Sequence, residues 1–108
     1  MTELERRIRT IVEDVQFFLP FEDCAKVSRA VADQVAALLG SRSARVHVAH
    51  GSFDSGPHAW VEIPALNMYI DPTFEQFDPA YNGWGWKNVR IGALGDADYA
   101  LYEVLRSQ

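Results

Sequence analysis

Three residues of types that support nucleophilic catalysis are spread over the first two thirds of this 108-residue chain. Cys24 is its only cysteine, His58 begins a run in which apolar residues alternate, and Asp71 ends a second such run. An imidazole whose Nδ1–H is held by a carboxylate is oriented as a general base, and a thiol beside it can act as the nucleophile. If the fold brings them together, these residues have the chemistry of thiol-dependent acyl transfer.

The hairpin between His58 and Asp71 decides whether their side chains meet. Residues 58–63 and 68–73 are predicted to be two antiparallel strands, connected at 64–67. Side chains switch face at every step along a strand, so the loop length sets which residues share a face. A two-residue loop places His58 opposite Asp71, and a four-residue loop makes them diagonal neighbours on one face. Only a three-residue loop would put them on opposite faces.

Cys24 is predicted to lie at the start of a helix over residues 24–39. Apolar residues recur along it at helical spacing, Asp23 is a suitable N-cap, and Gly40 is a suitable C-terminal stop. The positive end of the helix dipole favours a thiolate at this position, and the first-turn N–H groups can hold a developing oxyanion. Glu22 and Asp23 oppose the thiolate by like-charge repulsion.

The other predicted elements surround this helix and hairpin. Their types follow from apolar periodicity and from turn residues. Helices are predicted over 3–19 and 96–105, strands over 44–49 and 89–91, a turn-rich loop over 51–57, and a long aromatic and Gly-rich irregular segment over 74–86.

Composition predicts a single folded domain over residues 1–108, with a hydrophobic fraction of 48%. Ten basic residues against fifteen acidic ones give a net charge of −5, which predicts neither nucleic acid nor a membrane as partner. The N-terminus has no apolar signal region, and no stretch approaches the ~20 apolar residues of a transmembrane helix. One cysteine cannot form an internal disulfide, so we expect a reduced, cytoplasmic setting.

The order Cys24, then His58-Ala59-Trp60-Val61-Glu62, then Asp71-Pro72-Thr73 resembles the catalytic core of the transglutaminase-like superfamily, a branch of the papain-like Cys-His-Asp enzymes. The resemblance covers residues 24–73 and extends to the leader peptidases of lasso-type peptides. It implies an α+β fold with N-terminal helices packed on a small antiparallel sheet. It also implies that Cys24 is the nucleophile, His58 the base and Asp71 the orienting carboxylate.

Several further residues are candidates for contact with a substrate. Trp60 lies two residues after His58 on the same strand face, so we expect it to pack beside the imidazole. Gln76 and Gln16 could each offer an amide to an oxyanion hole. Trp84 and Trp86, in their Gly-rich segment, either line a substrate groove or cap the core.

No cofactor or metal is predicted, because His47 and His50 have no Cys or acidic partner at a metal-binding spacing.

The predicted activity is acyl transfer at a peptide or side-chain amide through a thioester. Hydrolysis by a peptidase or amidase is preferred to cross-linking, and glutamine deamidation fits the same chemistry. The alternative is an inactive transglutaminase-like fold that binds a peptide or protein through the aromatic segment 81–86. The expected partner is a peptide or protein substrate, and self-association stays open.

Overall fold

The computed structural model describes residues 2–40, 46–53, 56–81 and 83–106 of the chain. Within these ranges it contains three α-helices and one antiparallel sheet with strand order β1-β2-β3-β4. The elements are α1 (Glu3–Phe18), α2 (Cys24–Leu39), β1 (His47–Phe53), β2 (Gly56–Ile63), β3 (Met68–Asp71), β4 (Arg90–Ala93) and α3 (Ala100–Arg106). The predicted α+β class is confirmed.

The two N-terminal helices begin at capping side chains. The Thr2 hydroxyl accepts from the backbone N–H of Glu5, and the Asp23 carboxylate accepts from that of Lys26 at 2.8 Å. Gly40 ends α2 with a positive φ of 76°, which glycine adopts without a steric penalty. The bounds predicted for α2 are therefore confirmed, and α1 ends one residue before the predicted end.

The two faces of the sheet carry separate cores. Helices α1 and α2 pack on one face, against Val61, Ile63 and Ile70. Helix α3 covers the other face, where an aromatic cluster contains Trp60 and Tyr69. Alternation along β2 and β3 places His58 and Asp71 on this second face.

The β2–β3 hairpin has the register of a four-residue loop, because Ile63 pairs with Met68. The loop begins with a 3₁₀ turn over Pro64–Leu66 and closes at Asn67, which adopts the left-handed conformation with φ 51°. Continuing this register sets Asp71 opposite residue 60, two residues along the strand from His58. Of the three loop lengths that the sequence left open, the structure has the four-residue one, and His58 and Asp71 are diagonal neighbours on one face.

The predicted loop over 51–57 is wrong within the described residues. Gly51 pairs with His58, and Ser52 pairs with Pro57, so β1 and β2 extend through most of this range. Pro57 is tolerated because its carbonyl faces Cys24 and Gln76 rather than β1, and the missing N–H of a strand residue lies on the same side as its carbonyl. The described pairing with β3 on that side begins only at Val61. A Cβ at Gly51 would lie 2.6 Å from the Leu105 backbone, so this glycine marks close packing against α3.

The remaining predicted elements are shifted at their ends. Strand β4 covers Arg90–Ala93, and α3 follows a 3₁₀ turn over Ala97–Tyr99. Residues 44 and 45, at the predicted start of β1, lie outside the described residues. No helix in the described part of the chain is long and apolar enough to cross a membrane.

Candidate active site

Cys24 occupies the first position of α2 and is 8% exposed. Its Sγ lies 3.7 Å from the carbonyl oxygen of Pro57, near the start of β2. One turn further along the helix, the Ser28 hydroxyl donates to the Ala59 carbonyl at 3.1 Å. These contacts fix the N-terminus of α2 beside the strand that carries His58.

His58 is buried within an aromatic enclosure. Its ring stacks on Trp60 at a centroid distance of 6.0 Å and contacts Phe77 at 4.6 Å. Trp60 therefore packs beside the imidazole, as its place on the strand predicts. The two rings exclude water from His58, which strengthens the polar contacts that the imidazole makes.

The imidazole binds a different partner at each nitrogen. Nε2 lies 2.7 Å from Oδ2 of Asp71, and Nδ1 lies 2.9 Å from Oε1 of Gln76. The Cys24 thiol lies close enough to the His58 side chain to contribute to its pKa. The expectation that Asp71 would accept a hydrogen bond from Nδ1 is wrong. Asp71 binds Nε2 instead, and Nδ1 binds Gln76. Strand parity sets the face of a side chain but not the rotation of its ring.

Asp71 is fully buried, and both carboxylate oxygens accept hydrogen bonds. Oδ2 accepts from His58 Nε2–H and from the Tyr102 hydroxyl, each at 2.7 Å. Oδ1 accepts from the backbone N–H of Thr73 at 3.1 Å. Pro72 favours an extended backbone at Asp71, which fits its place as the last residue of β3.

The surroundings of His58 raise its pKa to about 10. Burial alone would lower the pKa, but the hydrogen bonds to Asp71 and Cys24 and the negative charge of Asp71 outweigh it. The hydrogen bond to Gln76 adds to the rise. His58 is therefore an imidazolium at neutral pH, which is the partner that a thiolate requires and the acid that a leaving amine requires.

Gln76 joins His58 to the backbone beside Cys24. Its Oε1 accepts from the imidazole, and its Nε2 donates to the Pro57 carbonyl at 3.1 Å. The same carbonyl is the one nearest the thiol. The Gln76 amide thus lies at the candidate site, where its contacts orient the imidazole.

Gln16 holds the loop that follows Asp71. Its Nε2 donates to the carbonyls of Pro72 at 2.9 Å and Asn88 at 2.8 Å, so both amide hydrogens are engaged. The predicted oxyanion role of Gln16 is therefore wrong, because its donors are committed to the backbone. Cys24 and Ala25 retain first-turn N–H groups with no acceptor within the helix.

The two tryptophans of the Gly-rich segment have different surroundings. Trp86 stacks on Tyr81 at 4.8 Å, packs against the core, and donates from Nε1 to the Glu22 carbonyl at 3.0 Å. Trp84 is 71% exposed and lines a surface groove of about 500 Å³ with Phe17. Trp86 also lines this groove, so it both caps the core and borders the groove, and the exposed Trp84 borders the same groove.

Tyr102 is the site residue that the sequence analysis missed. Its position in a short amphipathic helix predicts only an apolar contact, yet its hydroxyl binds Asp71. The signal was the residue type, because a buried tyrosine usually brings its hydroxyl to a hydrogen-bond partner.

Among the described residues, no group of three or more His, Cys, Asp or Glu side chains could hold a metal ion. Comparisons with models of protein families, with curated proteins and with solved structures found no match. The geometry of the site therefore carries the functional argument.

Proposed function

We propose that this protein is a cysteine-dependent acyl-transfer enzyme with a papain-like, transglutaminase-like core, acting at an amide of a peptide or protein. The observation that carries the proposal is the array at His58, whose imidazole binds Asp71 at 2.7 Å and lies near the Cys24 thiol. The array combines a nucleophile, an acid-base group and an orienting carboxylate in the order that acyl transfer requires.

In the first half of the reaction, Cys24 attacks as the thiolate, its proton being held by the His58 imidazolium. A C–S bond forms and the π bond of the carbonyl breaks, which leaves the negative charge on oxygen. The N–H groups of Cys24 and Ala25 are available to bind the resulting oxyanion at the start of α2. His58 then donates the Nδ1 proton to the departing nitrogen as the C–N bond breaks. The products are a thioester on Cys24 and a free amine or ammonia.

In the second half, His58 accepts a proton from water or from an amine that attacks the thioester. The C–S bond breaks, and sulfur leaves as the thiolate beside the protonated imidazole. Asp71 keeps the ring aligned throughout, because its Oδ2 holds Nε2–H at 2.7 Å. Gln76 must release Nδ1 when the proton moves.

Element order supports the transglutaminase-like assignment. The helix α2 starts at Cys24, and His58 and Asp71 lie on adjacent antiparallel strands. We prefer hydrolysis to cross-linking, since the described part of this small acidic domain shows no evident second site for an acceptor amine. A reduced, cytoplasmic setting belongs to the proposal because the lone thiol must stay free.

Reaction products distinguish the chemistries that the site could perform. The purified protein would be incubated with a peptide pool, with and without hydroxylamine, and the peptides analysed by mass spectrometry. New carboxyl termini indicate a peptidase, conversion of glutamine to glutamate a deamidase, and hydroxamates an acyl-enzyme open to amines. Cys24→Ala should abolish all three; no product above the level of that variant would contradict the proposal.

A second candidate function rests on an exposed aromatic surface. Phe17, Phe18, Phe21 and Trp84 are each between 71% and 77% exposed, and large exposed apolar patches commonly mark binding sites. This surface includes Trp84 of the segment 81–86, but not the half-buried Trp86. It would serve a binding module built on an inactive fold.

Charge indicates what such a module would bind. Glu13 and Asp14 lie one helical turn before Phe17 and Phe18. Glu22, next to Phe21, is paired with Lys26 at 3.5 Å. Since the whole chain carries −5, a second copy would bring like charge to this surface, whereas a basic apolar peptide would complement it.

A fluorescently labelled Leu-Lys amphipathic peptide, compared with its Leu-Glu counterpart, tests this second function. Preferential binding of the Leu-Lys peptide that survives Cys24→Ala and is lost in Trp84→Ala would support a binding module. Equal affinity for both peptides would exclude it.

A further inference from the structure

The Oδ2 atom of Asp71 receives two donors at the same distance. His58 Nε2 lies 2.7 Å from it, and the Tyr102 hydroxyl also lies 2.7 Å from it. His58, Asp71 and Tyr102 are all 1% exposed or less, so water does not compete for these contacts. The terminal helix α3 thus contributes a polar group to an array that otherwise comes from α2, β2 and β3.

The Tyr102 hydroxyl acts only as a hydrogen-bond donor to Asp71. Burial raises the pKa of Tyr102, and the nearby charge of Asp71 and their hydrogen bond raise it further. The phenol therefore keeps its proton over the whole pH range in which an enzyme operates. It is held in place by ring contacts to Trp60 and Tyr69, each at a centroid distance of 5.0 Å.

Two donors on one carboxylate oxygen share its charge. A phenol at Oδ2 withdraws electron density that would otherwise strengthen the bond to His58. It also blocks rotation of the carboxylate about its Cβ–Cγ bond, because Oδ2 would have to leave both donors at once. The position of the Asp71 carboxylate and the strength of Oδ2 as a hydrogen-bond acceptor thus both depend on Tyr102.

We propose that Tyr102 is a positioning residue of the Cys-His-Asp array, which fixes the Asp71 carboxylate and limits the strength of its hydrogen bond to His58. The role rests on the proposed acyl-transfer function. An imidazolium held too tightly by its carboxylate is a poorer acid toward the leaving amine, so a moderating donor favours proton transfer.

Few other titratable or charged groups face this array in the described structure. Cys24, on α2, lies near His58. Tyr69, on β3, lies beside Tyr102 of α3, and the positive charge of Arg90, on β4, lowers the pKa of both tyrosines. None of the hydrogen bonds at Asp71 comes from these three groups. The effect of Tyr102 can therefore be measured by removing its hydroxyl alone.

Tyr102→Phe, compared with Tyr99→Phe, isolates this contact. Tyr99 is a second buried tyrosine of the same aromatic cluster, 5.5 Å from Tyr102 by ring centroids, and its hydroxyl accepts from Arg106. In NMR titrations, Tyr102→Phe should raise the pKa of His58 by about 0.5 or more and move the His58 Hε2 signal downfield. Tyr99→Phe should leave both at their wild-type values. Equal behaviour of the two variants, or a lower pKa in Tyr102→Phe, would overturn the proposal.

Wild-type protein offers a second measurement that does not depend on the folding of a variant. Two protons that are donated to the same oxygen in hydrogen bonds lie close in space. The Tyr102 hydroxyl proton and His58 Hε2 should therefore show a cross-relaxation signal. Absence of that signal, with both protons observed, would overturn the shared-oxygen geometry. Both readouts need no substrate. If Cys24 proved unreactive, the proposed enzymatic function would be contradicted, but the NMR results would still show whether Tyr102 positions Asp71.

Discussion

The Nε2 atom of His58 lies 2.7 Å from Oδ2 of Asp71, so the carboxylate holds this nitrogen and leaves Nδ1 facing Gln76. Because Gln76 also binds Nδ1, both ring nitrogens have acceptors and the protonated ring is stabilised. The orientation of one side chain thus sets the direction of proton transfer in the proposed mechanism.

Asp71→Asn should leave the fold intact and lower turnover by orders of magnitude, because the amide cannot stabilise the imidazolium as a carboxylate does. Turnover would be measured with peptides identified in the product assay, and folding by thermal unfolding. Asp33→Asn, at an exposed position within α2, is the matched control and should retain full turnover. A near-normal rate for Asp71→Asn would remove this carboxylate from the mechanism.

Stability should fall as pH rises above neutrality. The pKa of His58 is raised to about 10 in the folded state, against an ordinary value of 6.5 in the unfolded chain. The folded state therefore binds this proton more tightly, and the contribution is complete below pH ~6.5 and lost as pH approaches ~10. Urea unfolding from pH 6 to 10 should show this decline in wild type and a smaller one in Asp71→Asn. Parallel curves for the two proteins would argue against a His58–Asp71 ion pair.

Gln76→Leu should lower the pKa of His58, since the hydrogen bond from the imidazole to Gln76 helps to raise it. It should also free the Pro57 carbonyl from its side-chain donor. The measurement is an NMR titration of the His58 ring, with Gln34→Leu at an exposed position of α2 as control. If the two variants titrate alike, Gln76 does not bind the imidazole in solution.

Arg106→Ala should destabilise the protein by about 1–3 kcal/mol, because the buried Glu62 carboxylate loses its guanidinium partner and keeps only His47 and Trp60. Glu62 is 4% exposed and accepts from Arg106 and from Trp60 Nε1. Because the Arg106 side chain is half exposed, solvent screens the pair and we expect a loss near the lower end of this range.

The same pair predicts a loss of stability in acid. Burial raises the pKa of Glu62, but the hydrogen bonds from Arg106 and Trp60 outweigh it and hold the pKa below its usual range. The stabilisation is therefore present above the unfolded value of 4.5 and is lost as pH falls below it. Arg106→Ala should reduce this acid dependence in unfolding measurements. If the loss of stability at low pH were the same in Arg106→Ala as in wild type, Arg106 would not be what keeps Glu62 ionised.

Local sequence signals were sufficient to predict features that depend only on helix capping and on the alternation of side chains along a strand. Asp23 and Gly40 mark the ends of α2 through their own side-chain and backbone preferences, independently of the rest of the fold. The shared face of His58 and Asp71 follows from the period of two along β2 and β3 once the loop length is set.

Other features depend on tertiary packing that short sequence windows do not contain. Gly51 looks like a turn residue, but its need for a hydrogen side chain comes from Leu105, more than fifty positions away. The contacts of Tyr102 and Gln16 likewise join segments distant in the chain. The rotation of the His58 ring is set by Asp71 and Gln76 together, and neither alone predicts it.

The most direct test of the central claim is the rate of Cys24 alkylation by iodoacetamide as a function of pH. It would be measured for wild type, for His58→Ala, and for His50→Ala as a control at an exposed histidine. We expect wild type and His50→Ala to react rapidly at pH 6, where an ordinary thiol of pKa ~8.5 is almost fully protonated. His58→Ala should then follow the profile of an ordinary thiol. A slow wild-type reaction at pH 6 that His58→Ala leaves unchanged would contradict a working Cys-His pair.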